Sequence, residues 1–170
     1  MLIEIAKQQL RKAGWYEGRK IDLTKYEEEY AKLGLELFPA ARKFLEEFGN
    51  LVIRDYFEFP YIKSGVACKE CSTQLAMCVG HRGGELEKHV EELYNQKVLC
   101  VGAIDSCEIY IYISEDGKIY QNWYNIGLRA ENSDQLWNEY YGEDYSRATW
   151  EDLKAGKGRT MHKKKVEKYL

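Results

Sequence analysis

Residues 109–113 alternate isoleucine with tyrosine, and this pattern restricts the fold more than any other feature of the chain. A period of two places the isoleucines on one face of a strand and the tyrosines on the other. Glu115-Asp116-Gly117 follows and is typical of a tight turn, so residues 118–124 are predicted to return as an antiparallel partner. The chain should therefore contain an antiparallel sheet with two different faces.

Helical periodicity dominates the chain before this hairpin. Apolar residues recur at helical spacing in residues 2–13, between Thr24 and Gly34, and between Pro39 and Gly49. Glycine after a periodic stretch and proline at its first position are typical helix boundaries. Three helices are therefore predicted before the first strand, which should run from Leu51 to about Phe57.

The remaining elements are predicted from shorter patterns. Val98–Ile104 is an apolar run that suits a central strand. Helices come first, a sheet interrupted by a helix follows, and further helices end the chain, which indicates an α+β fold rather than alternating βαβ units. The other predictions are a strand at Gln74–Val79, a helix at 85–96, a helix capped by Ser133, and a short helix from Trp150 to Ala155 capped by Thr149.

Length and charge limit the class of protein. The 170 residues fit a single domain, predicted over residues 1–155, with a basic tail at 156–170. A net charge of −3 argues against general nucleic-acid binding. The sequence contains neither a signal-peptide pattern nor the ~20 consecutive apolar residues of a membrane span, which predicts a cytoplasmic protein with reduced cysteines.

Cysteines and histidines suggest one alternative chemistry. Cys68, Cys71, Cys78 and His81 are ligands of the type that tetrahedral zinc prefers. The spacing between Cys71 and Cys78 is shorter than in common zinc ribbons and fingers, and ordinary thiols are the preferred interpretation. No cofactor is therefore predicted. The three histidines and the many acidic residues form no recognised catalytic arrangement, so the chain is not expected to be an enzyme.

Acidic and aromatic residues concentrate near the C-terminal end. Residues 131–152 hold seven carboxylates against the single Arg147, interleaved with tryptophan and tyrosine. Aromatic anchors among carboxylates suit a protein that binds a basic partner, because the rings bury well and the acids steer the encounter. The alternative is that Leu136, Trp137 and Tyr140 pack on the sheet and the acids are only solvated.

Four segments have a distinctive sequence: Ala13-Gly14-Trp15-Tyr16-Glu17-Gly18-Arg19, Phe38-Pro39-Ala40-Ala41, Phe44-Leu45-Glu46-Glu47-Phe48-Gly49-Asn50-Leu51, and Val98–Tyr120. They resemble the SUKH superfamily of bacterial immunity proteins, and most closely its third subfamily. The resemblance implies the same α+β fold and a structural role for the signature residues, which are Gly14, Trp15, Gly18, Arg19, Phe48 and Gly49. Trp15 should pack the turn against the helices, and Arg19 should pair with a carboxylate or a helix end.

The resemblance implies that the chain binds and neutralises a cognate bacterial toxin, often a nuclease, by covering its active site. A monomer or weak dimer is expected, without direct contact to membrane or nucleic acid. Aromatic and acidic clustering suggests the contact residues. The candidates are Trp137, Tyr140, Tyr141, Glu139 and Asp144, followed by Tyr110, Tyr112, Trp123 and Tyr124.

Other functional classes remain open at the level of sequence. A protein-binding adaptor of the same fold is the first alternative, and a small zinc-binding regulator is the second. A nucleic-acid binder that uses the basic tail is the third, because clustered lysines can contact phosphates.

Overall fold

The structure is a computed structural model, and it describes residues 1–58, 66–80, 84–104, 109–123, 125–141 and 164–165. Helices and strands follow one another in the order that an α+β fold requires. The helices are α1 (Glu4–Lys12), α2 (Thr24–Lys32), α3 (Pro39–Phe48), α4 (Leu75–Val79), α5 (Glu85–Tyr94) and α6 (Ser133–Tyr141). The strands are β1 (Val52–Glu58), β2 (Val66–Ser72), β3 (Val98–Ile104), β4 (Ile109–Ser114), β5 (Ile119–Trp123), β6 (Asn125–Ala130) and β7 (Lys164–Lys165).

Within the described part of the chain, all strands join one antiparallel sheet of order β6-β5-β4-β3-β2-β1-β7. The predicted hairpin is present: β4 pairs with β5, and Gly117 adopts φ +85° in the turn between them. Left-handed backbone of this kind favours glycine at that position. The predicted strands at Val98–Ile104 and near Leu51–Phe57 are also confirmed.

The alternation in β4 separates two hydrophobic clusters on opposite faces of the sheet. Ile111 and Ile113 belong to a large cluster with residues of α1, α2, α3, α4 and α6. Tyr112, between them, belongs to a smaller cluster with Val90 of α5. Because successive side chains of a strand point to opposite faces, the sheet lies between a layer of five helices and α5 alone.

Aromatic rings hold the helical layer together. Trp137 of α6 lies 6.1 Å from Phe44 and 5.4 Å from Phe48, measured between ring centroids, and both phenylalanines belong to α3. Tyr141 stacks on Trp137 at 6.1 Å. Such contacts contribute roughly 0.5–1.5 kcal/mol each beyond the area that they bury. Helix α6 is therefore fixed to α3 by Trp137.

One prediction about the middle of the chain is wrong, and another is confirmed with a shorter C-terminal end. Gln74–Val79 was expected to be a strand, but Leu75–Val79 forms the short helix α4, and the strand lies earlier, at Val66–Ser72. Cys78 is nevertheless fully buried in the core, as a small hydrophobe would be. The predicted helix at 85–96 is present but ends at Tyr94, because Asn95 turns into the left-handed region at φ +51°.

The C-terminal elements differ in detail from the sequence prediction. Ser133 was expected to cap α6, but it is the first helical residue, and Asn132 Oδ1 accepts a 2.9 Å hydrogen bond from the Gln135 N–H. Strand β6 was not predicted. The short helix proposed for Trp150–Ala155 lies outside the described residues. None of the helices in the described ranges is long and apolar enough to span a bilayer.

Candidate functional site

The turn after α1 packs directly onto α3. The Trp15 ring stacks on Phe48 with centroids 6.4 Å apart and an interplanar angle of 6°. The indole N–H of Trp15 donates a 3.3 Å hydrogen bond to Glu47 Oε1, and Arg19 Nη1 donates a 2.7 Å bond to the Glu47 carbonyl oxygen. The arginine thus satisfies a carbonyl at the C-terminal end of α3, where intrahelical partners run out.

Glycines make this turn possible. Gly14 and Gly18 adopt φ +98° and +79°, a region that side chains with a Cβ rarely enter. Gly49 is needed for space, because a Cβ there would collide with the Leu45 carbonyl oxygen and lie 3.0 Å from Ile21 Cδ1. The signature residues therefore shape the helical layer, and nothing in their geometry resembles a catalytic site.

Glu47 is one of the titratable groups that this packing perturbs. Partial burial raises the pKa of its carboxyl above the ordinary value, and the hydrogen bond from Trp15 acts in the opposite direction. The charges of Asp134 and Glu17 add to the increase in pKa. A carboxylate held in this way is less stable in its charged form than it would be in water.

The predicted aromatic anchors of α6 are mostly core residues. Trp137 is 0% exposed and Tyr141 is 1% exposed, and the Tyr141 hydroxyl donates to the Ile53 carbonyl oxygen of β1. A side chain enclosed in this way cannot contact a partner directly, so the interpretation of Trp137 and Tyr141 as surface anchors is wrong. Tyr140 is half-buried and contacts the Tyr141 ring edge-on at 5.3 Å.

Part of the predicted acidic surface is paired within the protein. Glu139 forms an ion pair with Arg129 of β6, and the Met1 nitrogen lies 2.9 Å from Asp134 Oδ2. Glu131 remains exposed. The charge count over residues 131–152 missed this partial neutralisation, because Arg129 and Met1 lie outside that range. Asp144 lies outside the described residues.

The second sheet face carries the other predicted aromatic residues. Tyr112 is fully buried beneath α5, so it cannot be a direct contact either, whereas Tyr110 is half-buried. Burial raises the pKa of Tyr112 far above the ordinary value, so its hydroxyl remains neutral. Of the remaining candidates, Trp123 belongs to β5 without a described side chain, and Tyr124 lies outside the described residues.

Structure adds residues to this face that the sequence prediction missed. Tyr94 of α5 contacts Tyr120 of β5 with ring centroids 4.7 Å apart. Ile126 is half-buried, and Leu128 on the same edge strand is 50% exposed. The available signal was the alternation of Ile126, Leu128 and Ala130 with Gly127 and Arg129, which has the period of a strand but is short.

Geometry does not support the zinc alternative. Cys71 lies in the core and Cys68 is exposed, because residues three apart on β2 point to opposite faces of the sheet. Burial raises the pKa of Cys78 to about 12, which disfavours the thiolate that zinc requires. Among the described residues, no three His, Cys, Asp or Glu side chains lie close enough to hold a metal ion. His81 lies outside them.

A cleft of about 250 Å³ lies between the α2–α3 connection, α5 and the start of β3. Leu35, Phe38 and Val98 form its apolar part, and glutamates and lysines form the rest. Lys97 Nζ lies 3.7 Å from Glu36 Oε2 at this cleft. The opposite charges along its lining largely cancel, so it shows no clear preference for an anion or a cation.

The chain thus has five helices on one face of an antiparallel sheet, and the turn that contains Gly14 and Trp15 packs on α3. The model described as SUKH-3 immunity protein matches residues 4–142. The chain belongs to the SUKH-3 immunity protein family. This match includes the signature turn, the whole sheet except β7, and α6. Neither a curated protein nor a solved structure matches the chain.

Proposed function

We propose that this SUKH-3 protein binds a cognate bacterial toxin, of the nuclease type, and neutralises it by covering the active site. The observation that carries the proposal is the family match over residues 4–142, which includes nearly all of the described fold. Immunity is a binding function, and it requires a stable surface rather than a catalytic centre. A cytoplasmic location and a monomeric or weakly dimeric state belong to the same proposal.

The negative charge of the protein supports a target that has a basic surface and acts on nucleic acid. The chain has a net charge of −3, and outside the core α5 has Glu85, Glu91 and Glu92 against Lys88. Nucleases bind a polyanion through basic surfaces, so an inhibitor that competes for such a surface benefits from carboxylates. Charge of this kind accelerates association and favours the correct orientation more than it increases final affinity.

Interior chemistry supports a binding role rather than catalysis. The buried thiol of Cys78 is held protonated by its raised pKa, and the Tyr30 hydroxyl is occupied by a 2.5 Å hydrogen bond to the Cys100 carbonyl oxygen. Both groups stabilise the core and are closed to a substrate. Residues 1–155 remain the proposed binding domain, and residues 156–170 the proposed basic tail.

A capture experiment tests this proposal. Tagged protein is used as bait in the native host, and captured proteins are identified and assayed for nuclease activity with and without the bait. We expect one large secreted or contact-delivered protein whose C-terminal domain is toxic and is inhibited by stoichiometric bait. Capture of housekeeping proteins alone, or of a toxin whose activity the bait leaves unchanged, would contradict the proposal.

Among the predicted contact residues, those with an accessible, described side chain remain proposals. They are Glu139, Tyr140 and Tyr110. Asp144, Trp123 and Tyr124 stay predictions, because their side chains lie outside the described part of the structure. The adaptor alternative shares the same fold, and only the identity of the captured partner distinguishes it from immunity.

A further inference from the structure

We infer that the toxin docks on the outer face of the sheet beside α5, on a strip formed by Tyr94, Tyr110, Ile126 and Leu128. This inference rests on the proposed function and identifies the surface at which the toxin binds. The occupant is a basic surface of the toxin. The strip, called the tyrosine strip below, lies on the face opposite the five-helix layer.

Strand register places these side chains together. Tyr120 of β5 pairs with Leu128 of β6, and Asn122 pairs with both Tyr110 and Ile126. Directly paired residues share a face, and Tyr120 belongs to the cluster beneath α5. Tyr94 reaches the same place from the end of α5 and contacts the Tyr120 ring at 4.7 Å.

Exposure distinguishes the strip from the rest of the core. Leu128 is 50% exposed, whereas Tyr120 beside it on the neighbouring strand is buried. Tyr94, Tyr110 and Ile126 are half-buried. Accessible apolar side chains beside a buried aromatic ring are typical of the centre of a protein interface, where a few residues supply most of the binding energy.

Hydrogen bonds hold the rings of this surface in place before any partner arrives. The Tyr94 hydroxyl donates a 2.7 Å bond to the Ile126 carbonyl oxygen, which links α5 to the edge strand. The Tyr120 hydroxyl donates to Gln96 Oε1 at 3.4 Å. A side chain that is already fixed loses little conformational entropy on binding, so its buried area contributes more to affinity.

Charge around the strip favours a basic occupant. Helix α5 borders it, and Glu85 and Glu92 of this helix are exposed, whereas Glu87 is buried and accepts a hydrogen bond from the Cys100 N–H. On the other side, the charges of Asp116 and Glu131 both act on the Tyr120 hydroxyl, and Lys118 is the cation among them. The excess of carboxylates complements the positive surface with which a nuclease would bind nucleic acid.

A matched pair of substitutions tests the strip. Leu128→Asp places a charge at its exposed centre, and Tyr16→Asp places the same charge at a 59% exposed aromatic residue of the helical layer, on the other side of the sheet. Each variant is titrated against the toxin that the unmodified protein captures. We expect Leu128→Asp to weaken binding by about 30-fold or more, the loss typical of an interface hot spot. Binding by Tyr16→Asp should stay within about twofold of the unmodified protein.

A second variant tests the charge beside the tyrosine strip and leaves the residues of the strip unchanged. Glu92→Lys reverses an exposed charge of α5 and should not affect folding. We expect it to slow association several-fold at low salt, and the difference from the unmodified protein should shrink at high salt. An association rate unchanged at both salt concentrations would contradict the basic occupant.

The outcomes separate this inference from the proposed function. A toxin bound equally by Leu128→Asp and the unmodified protein would overturn the strip while leaving immunity intact. Failure of the unmodified protein to capture any toxin would overturn both. A dimer that Leu128→Asp dissociates would show the strip covered by a second copy. This result would overturn the inference.

Discussion

Thr73 shows at the residue scale how the helical layer is joined to the sheet. This fully buried threonine follows β2, and its hydroxyl donates to the Phe48 carbonyl oxygen at the end of α3. The same hydroxyl accepts a 3.0 Å bond from the Leu51 N–H, and the Thr73 carbonyl oxygen accepts a 2.8 Å bond from the Tyr26 hydroxyl. The Thr73 side chain therefore joins the end of α3 to the start of β1, and the backbone of the same residue holds α2.

Replacement of this hydroxyl gives the first prediction. Thr73→Val keeps the shape but leaves the Leu51 N–H without that acceptor in the core, which should lower the free energy of unfolding by about 1–3 kcal/mol. Thr73→Ser retains the hydroxyl and loses one methyl group, so it should cost about 1 kcal/mol. Urea unfolding measures both. The role of the hydroxyl would be refuted if serine were the more damaging substitution.

Glu47 gives a prediction about pH. Burial raises its folded-state pKa, so the unfolded chain loses this proton at a lower pH than the folded protein does. The carboxyl's contribution to stability is therefore fully present below the ordinary pKa of a glutamate and is lost as the pH rises through the folded-state value. Glu47→Gln keeps an oxygen acceptor for Trp15 and removes this titration.

The variant should therefore gain stability relative to the wild type between pH 4 and pH 7. Urea unfolding of both proteins at the two pH values gives the difference, and Glu46→Gln controls for the change in net charge on α3. A relative stability of Glu47→Gln that falls over this pH range would mean that the folded-state pKa is lowered, contrary to the packing around Trp15.

At the scale of elements, the sequence prediction and the structure differ in the residue that caps α6, which is Ser133 in the prediction and Asn132 in the structure. Asn132→Ala removes the side chain that accepts from the Gln135 N–H and should cost about 1 kcal/mol. Ser133→Ala removes the residue expected from sequence, and it should change stability by less than about 0.5 kcal/mol. Thermal unfolding of the two variants decides between them, and a larger loss for Ser133→Ala would contradict the observed cap.

Strong periodicity made the long elements predictable. Pro39 starts α3, and the alternation at 109–113 gave both faces of β4 correctly, because each pattern extends over several turns or residues. Leu75–Val79 was misassigned because five apolar residues fit a strand and a helix equally well. Strand β2 escaped prediction because its cysteines and charged residues do not alternate in a way that marks a buried face.

The candidate site was harder to predict than the fold, for a physical reason. Tyrosine and tryptophan serve both cores and interfaces, and composition cannot distinguish the two roles. Trp137, Tyr141 and Tyr112 are in the core, whereas Tyr94 and Leu128 reach the surface. That division depends on which helix covers which strand, and it appears only once the elements are packed.

At the scale of the whole molecule, the two faces of the sheet are unequally covered. Five helices pack on one face, and α5 alone packs on the other in the described residues, close to β3 and β4. A rigid helical layer therefore stabilises the fold, and the edge of the sheet beyond α5 keeps accessible apolar side chains. One covered face and one partly accessible face suit a protein that binds a partner.

Stoichiometric inhibition is the measurement that tests the central claim most directly. The toxin captured from the host is purified, and its activity is titrated with this SUKH-3 protein at a concentration well above the dissociation constant. We predict a linear loss of activity that is complete at about one equivalent, because one immunity protein should cover one active site. Full toxin activity in the presence of excess protein would contradict the account.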